Sequence, residues 1–161
     1  MEHERNGKEY SIHEARFFKD QIVLAAATTT RHGNNENPYL YKLDPATGEV
    51  TLWAEYEYSM GSSVGSDCRY GGGNGFAADD QALYFLTTRE DSSHCYKMGE
   101  CGCIKPVIEL TGSIDHFALA EGKILFAGMI GQKLQEIYEY DLETQTTTQI
   151  SDFNEAALKD K

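Results

Sequence analysis

Basic side chains are scarce in this sequence. Its 161 residues include 14 Lys and Arg against 26 Asp and Glu, which gives a formal net charge of −12 at neutral pH. Binding to nucleic acid requires a concentrated basic surface that displaces counterions from the phosphates. The composition therefore argues against nucleic acid as a partner.

Long apolar runs and a secretory leader are also lacking. The longest apolar run, Ile22–Ala27, is far shorter than the roughly 20 residues that span a bilayer. The start, Met1–Arg5, has neither the basic region nor the apolar stretch of a signal peptide. We therefore expect no membrane partner and a cytoplasmic location. The four cysteines are too few for a disulfide scaffold, and a cytosolic protein would keep them reduced.

The chain does contain many short runs rich in Val, Ile, Leu, Tyr, Phe and Thr, separated by clusters of Gly, Asn and Asp. Such runs without helical periodicity predict an all-β fold. The runs recur three times in the same order. Each repeat consists of a short segment that starts at Phe, an apolar strand, a polar loop, an aromatic strand and a final strand. The first segments are Phe17–Asp20, Phe76–Asp79 and Phe117–Ala120. The apolar strands are Gln21–Thr28, Ala82–Thr88 and Lys123–Met129, and the equivalent tyrosines of the aromatic strands are Tyr41, Tyr96 and Tyr138.

A repeat of about 40–45 residues with four antiparallel strands is typical of a β-propeller blade. The sequence therefore predicts a partial β-propeller of about three four-stranded blades, over residues 11–54, 72–110 and 111–150. Residues 54–74 are extra length between the first two blades, and residues 151–161 form a linker. Leu125 is expected to point into the packed face of the third blade. A β-sandwich of about ten strands is the alternative architecture.

Several segments carry a resemblance to a known family. LTGSIDHF at residues 110–117, EGKILF at 121–126, QEIYEYD at 135–141 and QISDFN at 149–154 resemble the closing blades of the propeller in prolyl oligopeptidase-family serine peptidases. The acylaminoacyl-peptidase-like branch is the most similar. Ser66–Gly73, followed by Leu83–Thr88, also resembles bacterial members of that branch.

In that family an N-terminal propeller precedes an α/β-hydrolase domain, and the propeller restricts access to the catalytic serine. The resemblance implies that this chain is a non-catalytic propeller portion of a serine peptidase. It would dock the hydrolase domain and gate the entry of peptide substrates. The alternating strands and helices of a hydrolase are not found in the sequence. Two other hypotheses are a free-standing β-domain that binds a peptide or glycan through its blade loops, and an esterase that uses Ser63.

The segment Gly61–Gly65 matches the nucleophile-elbow pattern G-x-S-x-G, with Ser63 at its centre. That elbow needs a strand before the serine and a helix after it, because the helix N-terminus helps to stabilise the oxyanion. The glycines of Gly71–Gly75 follow instead and cannot start a helix. We therefore expect Ser63 to lie in a Ser/Gly loop, and we predict no catalytic residue in this chain.

Three cysteines and a histidine lie close in sequence and have the ligand types that zinc prefers. Their spacing places Cys95, Cys101 and Cys103 in one hairpin beside His94, without the second ligand pair of a structural zinc site. Cys101 and Cys103 are expected to be reduced thiols on a turn, and Cys95 a small apolar strand residue. Gly71–Gly75 lacks the Lys-Ser/Thr ending of a phosphate-binding loop. No metal or cofactor is predicted.

The candidate gating or domain-interface residues are Asp67, Arg69 and Tyr70. Arg69 is one of few basic residues, and its guanidinium could hold a peptide carboxylate or an acid of a neighbouring domain. An ordinary structural salt bridge is the other interpretation.

The predicted blades also raise the question of assembly. Three isolated blades would leave two apolar faces exposed, and common propellers have at least about four blades. We therefore expect a homodimer or a larger assembly through the exposed blade faces.

Overall fold

The computed structural model describes residues 3–5, 8–30, 32–64 and 74–158 of the chain. These residues form three antiparallel sheets, one for each predicted blade, followed by one short helix. The prediction of an all-β fold with three blades is therefore confirmed. No helix in the described part is long and apolar enough to span a membrane.

Each sheet is built from strands that follow one another along the chain. The first blade contains β1 (His3–Arg5), β2 (Lys8–Phe18), β3 (Gln21–Thr28), β4 (Tyr39–Leu43) and β5 (Val50–Ala54), paired in that order. The second contains β6 (Ser59–Met60) and β7 (Phe76–Ala78), which both pair with β8 (Ala82–Arg89), and then β9 (Ser92–Gly99) and β10 (Ile104–Ile108). The third contains β11 (Gly112–Ala120), β12 (Lys123–Ile130), β13 (Glu136–Asp141) and β14 (Thr146–Gln149), and the helix α1 (Glu155–Leu158) follows it.

Two-residue turns join β2 to β3 and β11 to β12. The pairs that flank them are Phe18 with Gln21 and Ala120 with Lys123. Lys19 has a φ of 54°, which is the left-handed conformation that such hairpin turns require at their first central residue.

This turn corrects the sequence alignment of the first blade. Phe76 and Phe117 occupy one equivalent position on the first strands of their blades. The same position in the first blade holds Ala15, because Lys19 and the next residue form a turn for which the alignment left no room. Phe17 lies two residues further along the strand, and its side chain is 77% exposed.

The predicted tyrosine repeat is confirmed. Tyr41, Tyr96 and Tyr138 each pair with an apolar residue on the central strand of their blade, which is Leu24, Phe85 and Phe126 respectively. All three tyrosines are buried. Aromatic and branched residues that face each other across strands stabilise a sheet.

Two clusters of buried side chains hold the blades together. One joins the first and second blades and includes Val23, Leu40, Leu83, Phe85 and Tyr96. The other joins the second and third blades and includes Tyr84, Leu86, Ile124, Phe126 and Tyr138. Removing this apolar surface from water supplies the main stabilising term of the fold.

The expectation that Leu125 points into the packed face of its blade is wrong. Its side chain is 44% exposed, whereas Ile124 and Phe126 on either side are almost fully buried. Successive strand residues face opposite sides of a sheet, so an error of one residue exchanges the two faces. Ile124 and Phe126 face the second blade, and Leu125 lies on the opposite face.

The first strand of every blade is interrupted at the same position. In the first blade the pairing shifts between Ile12 and Glu14 and leaves His13 as a bulge. In the third blade the shift lies between Ile114 and His116, at Asp115. Bulges of this kind bend a strand and re-aim side chains.

The second blade carries a long excursion at that position. Met60 pairs with Thr87, and the chain returns at Gly75, whose carbonyl accepts a hydrogen bond from the N–H of Leu86. The extra length therefore interrupts the first strand of the second blade, and β6, which the sequence analysis placed between blades, belongs to that sheet. We call residues 61–75 the inner excursion.

Candidate functional site

The interrupted first strands of the three blades surround one cavity. It has a volume of about 300 Å³ and is lined by residues of all three blades. His13 and Glu14 come from the first blade, Gly75 and Phe76 from the second, and Asp115 from the third. We call this space the inner cavity.

The cavity wall carries two carboxylates, Glu14 and Asp115, beside the polar side chains of His13 and Ser62. Asp115 is buried, and the side-chain amide of Gln135 donates a hydrogen bond to its Oδ2 atom. Glu14 is partly exposed, and its Oε1 atom lies 2.7 Å from Nη1 of Arg16. Asp115 is itself the bulge residue of its strand, and Glu14 directly follows the bulge at His13.

Hydrogen bonds attach the first residues of the inner excursion to the second blade. The N–H of Gly61 donates to the carbonyl of Leu86 at 2.7 Å. The hydroxyl of Ser62 donates to Ser93 Oγ at 3.0 Å, and the N–H of Ser63 donates to Thr88 Oγ1 at 2.9 Å. These bonds fix the direction in which the chain departs at the cavity wall.

Asn74 anchors the returning end of the excursion to all three blades. Its side-chain oxygen accepts hydrogen bonds from Nη2 of Arg16 at 3.1 Å and from the N–H of Phe76 at 3.2 Å. Its backbone carbonyl accepts a hydrogen bond from the N–H of Phe117 at 3.1 Å. Both ends of the excursion are thus attached beside the inner cavity.

Asp67, Arg69 and Tyr70, the predicted gating or interface residues, lie outside the described residues. The described residues that flank them on the two sides are Val64 and Asn74. The sequence between these flanks therefore starts and ends next to the cavity.

Ser63 is attached to the second blade by hydrogen bonds. Its hydroxyl donates to Thr88 Oγ1 at 3.0 Å, and residues 61–64 belong to neither a strand nor a helix. The Thr88 hydroxyl donates in turn to the carbonyl of Gly61. Ser63 thus takes part in anchoring the excursion.

His94, Cys95, Cys101 and Cys103 do not form a common site. Cys95 is fully buried, and burial raises the pKa of its thiol well above the usual range. Nδ1 of His94 accepts a hydrogen bond from the N–H of Leu110 at 3.3 Å, and burial lowers the pKa of its imidazole. In the described ranges no group of three or more His, Cys, Asp and Glu could hold a metal ion. The expectation of reduced thiols on the turn is wrong, because Cys101 and Cys103 form a disulfide across it.

The sequence matches no family model and no curated protein, but it is similar to solved structures. The β-propeller domain of the Trilobed protease from Pyrococcus furiosus matches 83% of this chain and 37% of its own, with a TM-score of 0.59 and 21% identity. Pyrococcus horikoshii acylaminoacyl peptidase matches 98% of this chain and 23% of its own, with a TM-score of 0.62 and 17% identity. Puromycin hydrolase matches 88% of this chain and 20% of its own, with a TM-score of 0.60 and 16% identity.

The chain has the fold of a partial β-propeller. The resemblance to the propellers of prolyl oligopeptidase-family peptidases is confirmed at the level of the fold. The chain spans well under half the length of each of these structures.

A second polar feature of the propeller was not predicted from the sequence. Arg89, at the end of β8, donates to the hydroxyls of Tyr96 and Tyr58, and its guanidinium lies 4.3 Å from the centre of the Tyr58 ring. The Tyr96 hydroxyl also donates to Glu109 at 2.9 Å. This group holds the segment that enters the second blade just before the inner excursion. The residues lie up to 51 positions apart in sequence, so no local pattern connects them.

Glu136 forms a third feature, at the end of the third blade. Its carboxylate is 4% exposed and accepts hydrogen bonds from the hydroxyl of Ser151, the N–H of Phe153 at 3.0 Å and the N–H of Asn154 at 2.8 Å. Desolvation raises the pKa of Glu136, but these hydrogen bonds together outweigh it and leave the pKa below its usual value. The contacts fix the chain as it leaves β14 and approaches α1. We call this group the exit clamp.

Proposed function

We propose that this chain forms part of the propeller of a prolyl oligopeptidase-like serine peptidase, where it restricts substrate access and docks an α/β-hydrolase domain. The likeness of the three blades to solved peptidase propellers supports the class of enzyme. The gating role is supported by the position of the inner excursion, which begins and ends at a cavity lined by all three blades. A loop anchored in this way can narrow a passage without disturbing the outer strands.

In this proposal the excursion presents Asp67, Arg69 and Tyr70 to an entering peptide or to the docked domain. Its two ends are attached to the cavity wall at Gly61 and Asn74. A guanidinium there would bind a peptide carboxylate through paired hydrogen bonds. The aromatic ring would pack against the peptide backbone or an apolar side chain.

The charge of the cavity wall supports a preference among peptides. Asp115 and Glu14, the latter paired with Arg16, line the cavity, in a chain with a formal net charge of −12. A negative surface attracts cations and repels anions over about a Debye length. We therefore propose that peptides with a free amino terminus or basic side chains enter more readily than acidic ones.

The exit clamp supports the docking role. Glu136 fixes residues 151–154 against the third blade, so the following segment leaves the propeller in a set direction. In the proposed parent enzyme this segment leads towards the hydrolase domain. A fixed exit limits the orientations that the two domains can adopt.

Self-association through the exposed faces of the first and third blades is part of the same proposal. Their exposed apolar residues include Phe17, Leu52 and Leu125. The cytoplasmic location and the absence of catalysis by this chain remain predictions.

The peptide preference can be tested by fluorescence anisotropy with two labelled peptides of equal length, one basic and one acidic. We expect the basic peptide to bind the chain and the acidic peptide not to bind. The double variant Glu14→Gln and Asp115→Asn should weaken binding of the basic peptide about tenfold. Glu143→Gln, on a remote exposed turn, is the matched control and should leave the affinity unchanged.

Equal binding of the two peptides would contradict the proposal. So would equal losses of affinity in the cavity double variant and in Glu143→Gln. Circular dichroism of each variant establishes that a lost affinity does not reflect a lost fold.

A further inference from the structure

A disulfide lies on the hairpin turn that joins β9 to β10 in the second blade. It connects Cys101 to Cys103, with only Gly102 between them. The turn is already closed by backbone hydrogen bonds, because the N–H of Gly99 donates to the carbonyl of Cys103 at 3.3 Å. A disulfide stabilises a fold mainly by closing a loop of the unfolded chain, and the gain falls as the loop shortens. This bond therefore contributes little as a structural cross-link.

The surroundings of this disulfide are those of a reactive bond. Both cysteines are exposed. Exposed disulfides are the labile ones, with regulatory or catalytic roles, whereas structural disulfides resist reduction by small thiols. In the cytoplasmic location predicted from the sequence, the disulfides that form are usually transient and take part in catalysis or redox sensing. Exposure and the short loop thus both favour a bond that opens and closes.

The two sulfur atoms have different surroundings. The N–H of Cys103 donates a hydrogen bond to Sγ of Cys101 at 3.3 Å. A hydrogen-bond donor stabilises negative charge on sulfur and so favours the thiolate. A disulfide opens most readily when the sulfur that leaves is the one that forms the more stable thiolate. The contact therefore marks Cys101 as the leaving sulfur and Cys103 as the sulfur that is attacked.

The turn is seated on the first blade at Trp53, which lies in β5. Nε1 of Trp53 donates a hydrogen bond to the carbonyl of Glu100 at 3.2 Å. Gly102 has a φ of 74°, and a Cβ atom there would lie 2.8 Å from the carbonyl oxygen of Trp53 and 3.2 Å from its Cδ1 atom. Only glycine fits both the left-handed conformation and the close approach. The residue between the two cysteines is thus in contact with the indole.

Further contacts connect the turn to the junction of the first two blades. Lys19, on the turn between β2 and β3, forms an ion pair with Glu100. Nζ of Lys42 lies 3.9 Å from the centre of the Trp53 ring. Ile104, the first residue of β10, packs against the buried cluster that joins the two blades. A change of conformation at the disulfide would therefore reach both blades.

We infer that Cys101 and Cys103 form a thiol–disulfide exchange site that reacts with small thiols, and that its redox state is transmitted to Trp53 at the junction of the first two blades. The site is separate from the inner cavity and goes beyond the proposed gating function. Its ligand class is the low-molecular-weight thiols, of which glutathione is the probe used below.

Reduction at this site proceeds in two exchanges. A small thiolate attacks Sγ of Cys103, the bond between the two cysteines breaks, and its electron pair leaves on Cys101 as a thiolate. A mixed disulfide then remains on Cys103. A second small thiolate attacks the small-thiol sulfur of this mixed disulfide and releases Cys103 as a thiolate. The cysteine thiolates take up the two protons that the small thiols lost, so two thiols become one small disulfide and the protein gains two electrons. Oxidation is the reverse sequence.

Equilibration with glutathione tests the exchange. The full chain carries Cys68→Ser, so that the thiols of the turn are observed beside the buried Cys95 only. The folded chain is incubated at different ratios of reduced to oxidised glutathione, trapped by rapid alkylation and analysed by peptide mapping with mass spectrometry. We expect Cys101 and Cys103 to be alkylated after reduced glutathione and not after oxidised glutathione. The fluorescence of Trp53, the single tryptophan of the chain, should follow the same reversible transition.

Alkylation rates test the assigned roles of the two sulfur atoms. In the reduced chain, iodoacetamide should modify Cys101 about threefold faster than Cys103, because a favoured thiolate gains more in abundance than it loses in nucleophilicity. Equal rates, or a faster reaction of Cys103, would contradict these roles.

Two sets of variants test the transmission to Trp53. The double variant Cys101→Ser and Cys103→Ser should show no fluorescence response to glutathione. Gly102→Ala should lose most of the response, because the added Cβ atom displaces the turn from Trp53. Gly122→Ala is the matched control, since Gly122 has a φ of 75° and nothing lies within 4 Å of an added Cβ atom. It should keep the full response.

A disulfide that glutathione reduces only after urea has unfolded the chain would overturn the inference. So would thiols that oxidised glutathione does not reconnect. Exchange without any change in Trp53 fluorescence would contradict the transmission to the blade junction. Peptide binding at the inner cavity is measured separately with labelled peptides, so the failure of one proposal is distinguishable from the failure of the other.

Discussion

Single residues on the central strands decide which side of a blade is packed. Ile124 is fully buried against the second blade, so truncating it leaves a cavity that neighbouring side chains fill only in part. We predict that Ile124→Ala lowers the free energy of unfolding by about 2–5 kcal/mol, measured by urea denaturation.

Glu143→Ala is the matched control, because Glu143 lies exposed on the turn after β13 of the same blade. It should change the free energy of unfolding by less than about 0.5 kcal/mol. Similar, small losses in both variants would show that the faces of β12 have been assigned incorrectly. Both melts are recorded at one low protein concentration, so that self-association does not contribute.

The same residues show why the sequence alone does not predict which side chains of β12 are buried. The run Lys123–Ile130 contains apolar residues at nearly every position, so alternation alone does not tell Ile124 from Leu125. Pairing with β13 resolves the question, because it sets Ile124 beside Tyr140 and Leu125 beside Glu139. That pairing depends on residues at least 14 positions away.

At the scale of elements, the exit clamp couples β13 to the segment after β14. Because the folded-state pKa of Glu136 lies below its usual value, protonation favours the unfolded chain. The stabilisation is therefore complete above the ordinary carboxyl pKa and is lost as the pH falls through the lowered folded-state value. We predict that Glu136→Gln lowers stability at pH 7 by about 1–3 kcal/mol, the range for hydrogen bonds to a charged group.

Thermal or urea melts between pH 7 and pH 3 measure this effect. The difference between the parent chain and Glu136→Gln should shrink on acidification, and Glu143→Gln should follow the parent chain throughout. A difference that stays constant over this range would mean that the Glu136 carboxylate does not supply the stabilisation.

The strands were predictable from the sequence to a greater extent than their connections. Short apolar and aromatic runs predicted most strands, and the tyrosine repeat set the equivalence of the blades. The alignment of the first blade was off by two residues because its turn contains no Gly or Pro, which are the usual turn signals. The two residues of β6 are too few to show a period, so the split first strand of the second blade was missed.

At the scale of the whole molecule, the blades stack in chain order and bring their interrupted first strands to one cavity. The sequence predicted the stack, since a repeat of four strands cannot bury both of its faces alone. It could not predict the cavity. His13 and Glu14 line it together with Asp115, which lies about 100 residues further along the sequence. Only the strand pairings of the three blades together bring these residues to one place.

We propose that the inner excursion carries Asp67, Arg69 and Tyr70 to the inner cavity. Paramagnetic relaxation enhancement tests it most directly, with a nitroxide attached to Cys68 in the chain with Cys101→Ser and Cys103→Ser. Cys95 is buried and should not react, so one label per chain shows that the nitroxide is attached to Cys68. We expect the label to broaden the amide signals of His13, Glu14, Phe76 and Asp115 most strongly. Broadening centred instead on the outermost strands, β5, β10 and β14, would contradict it.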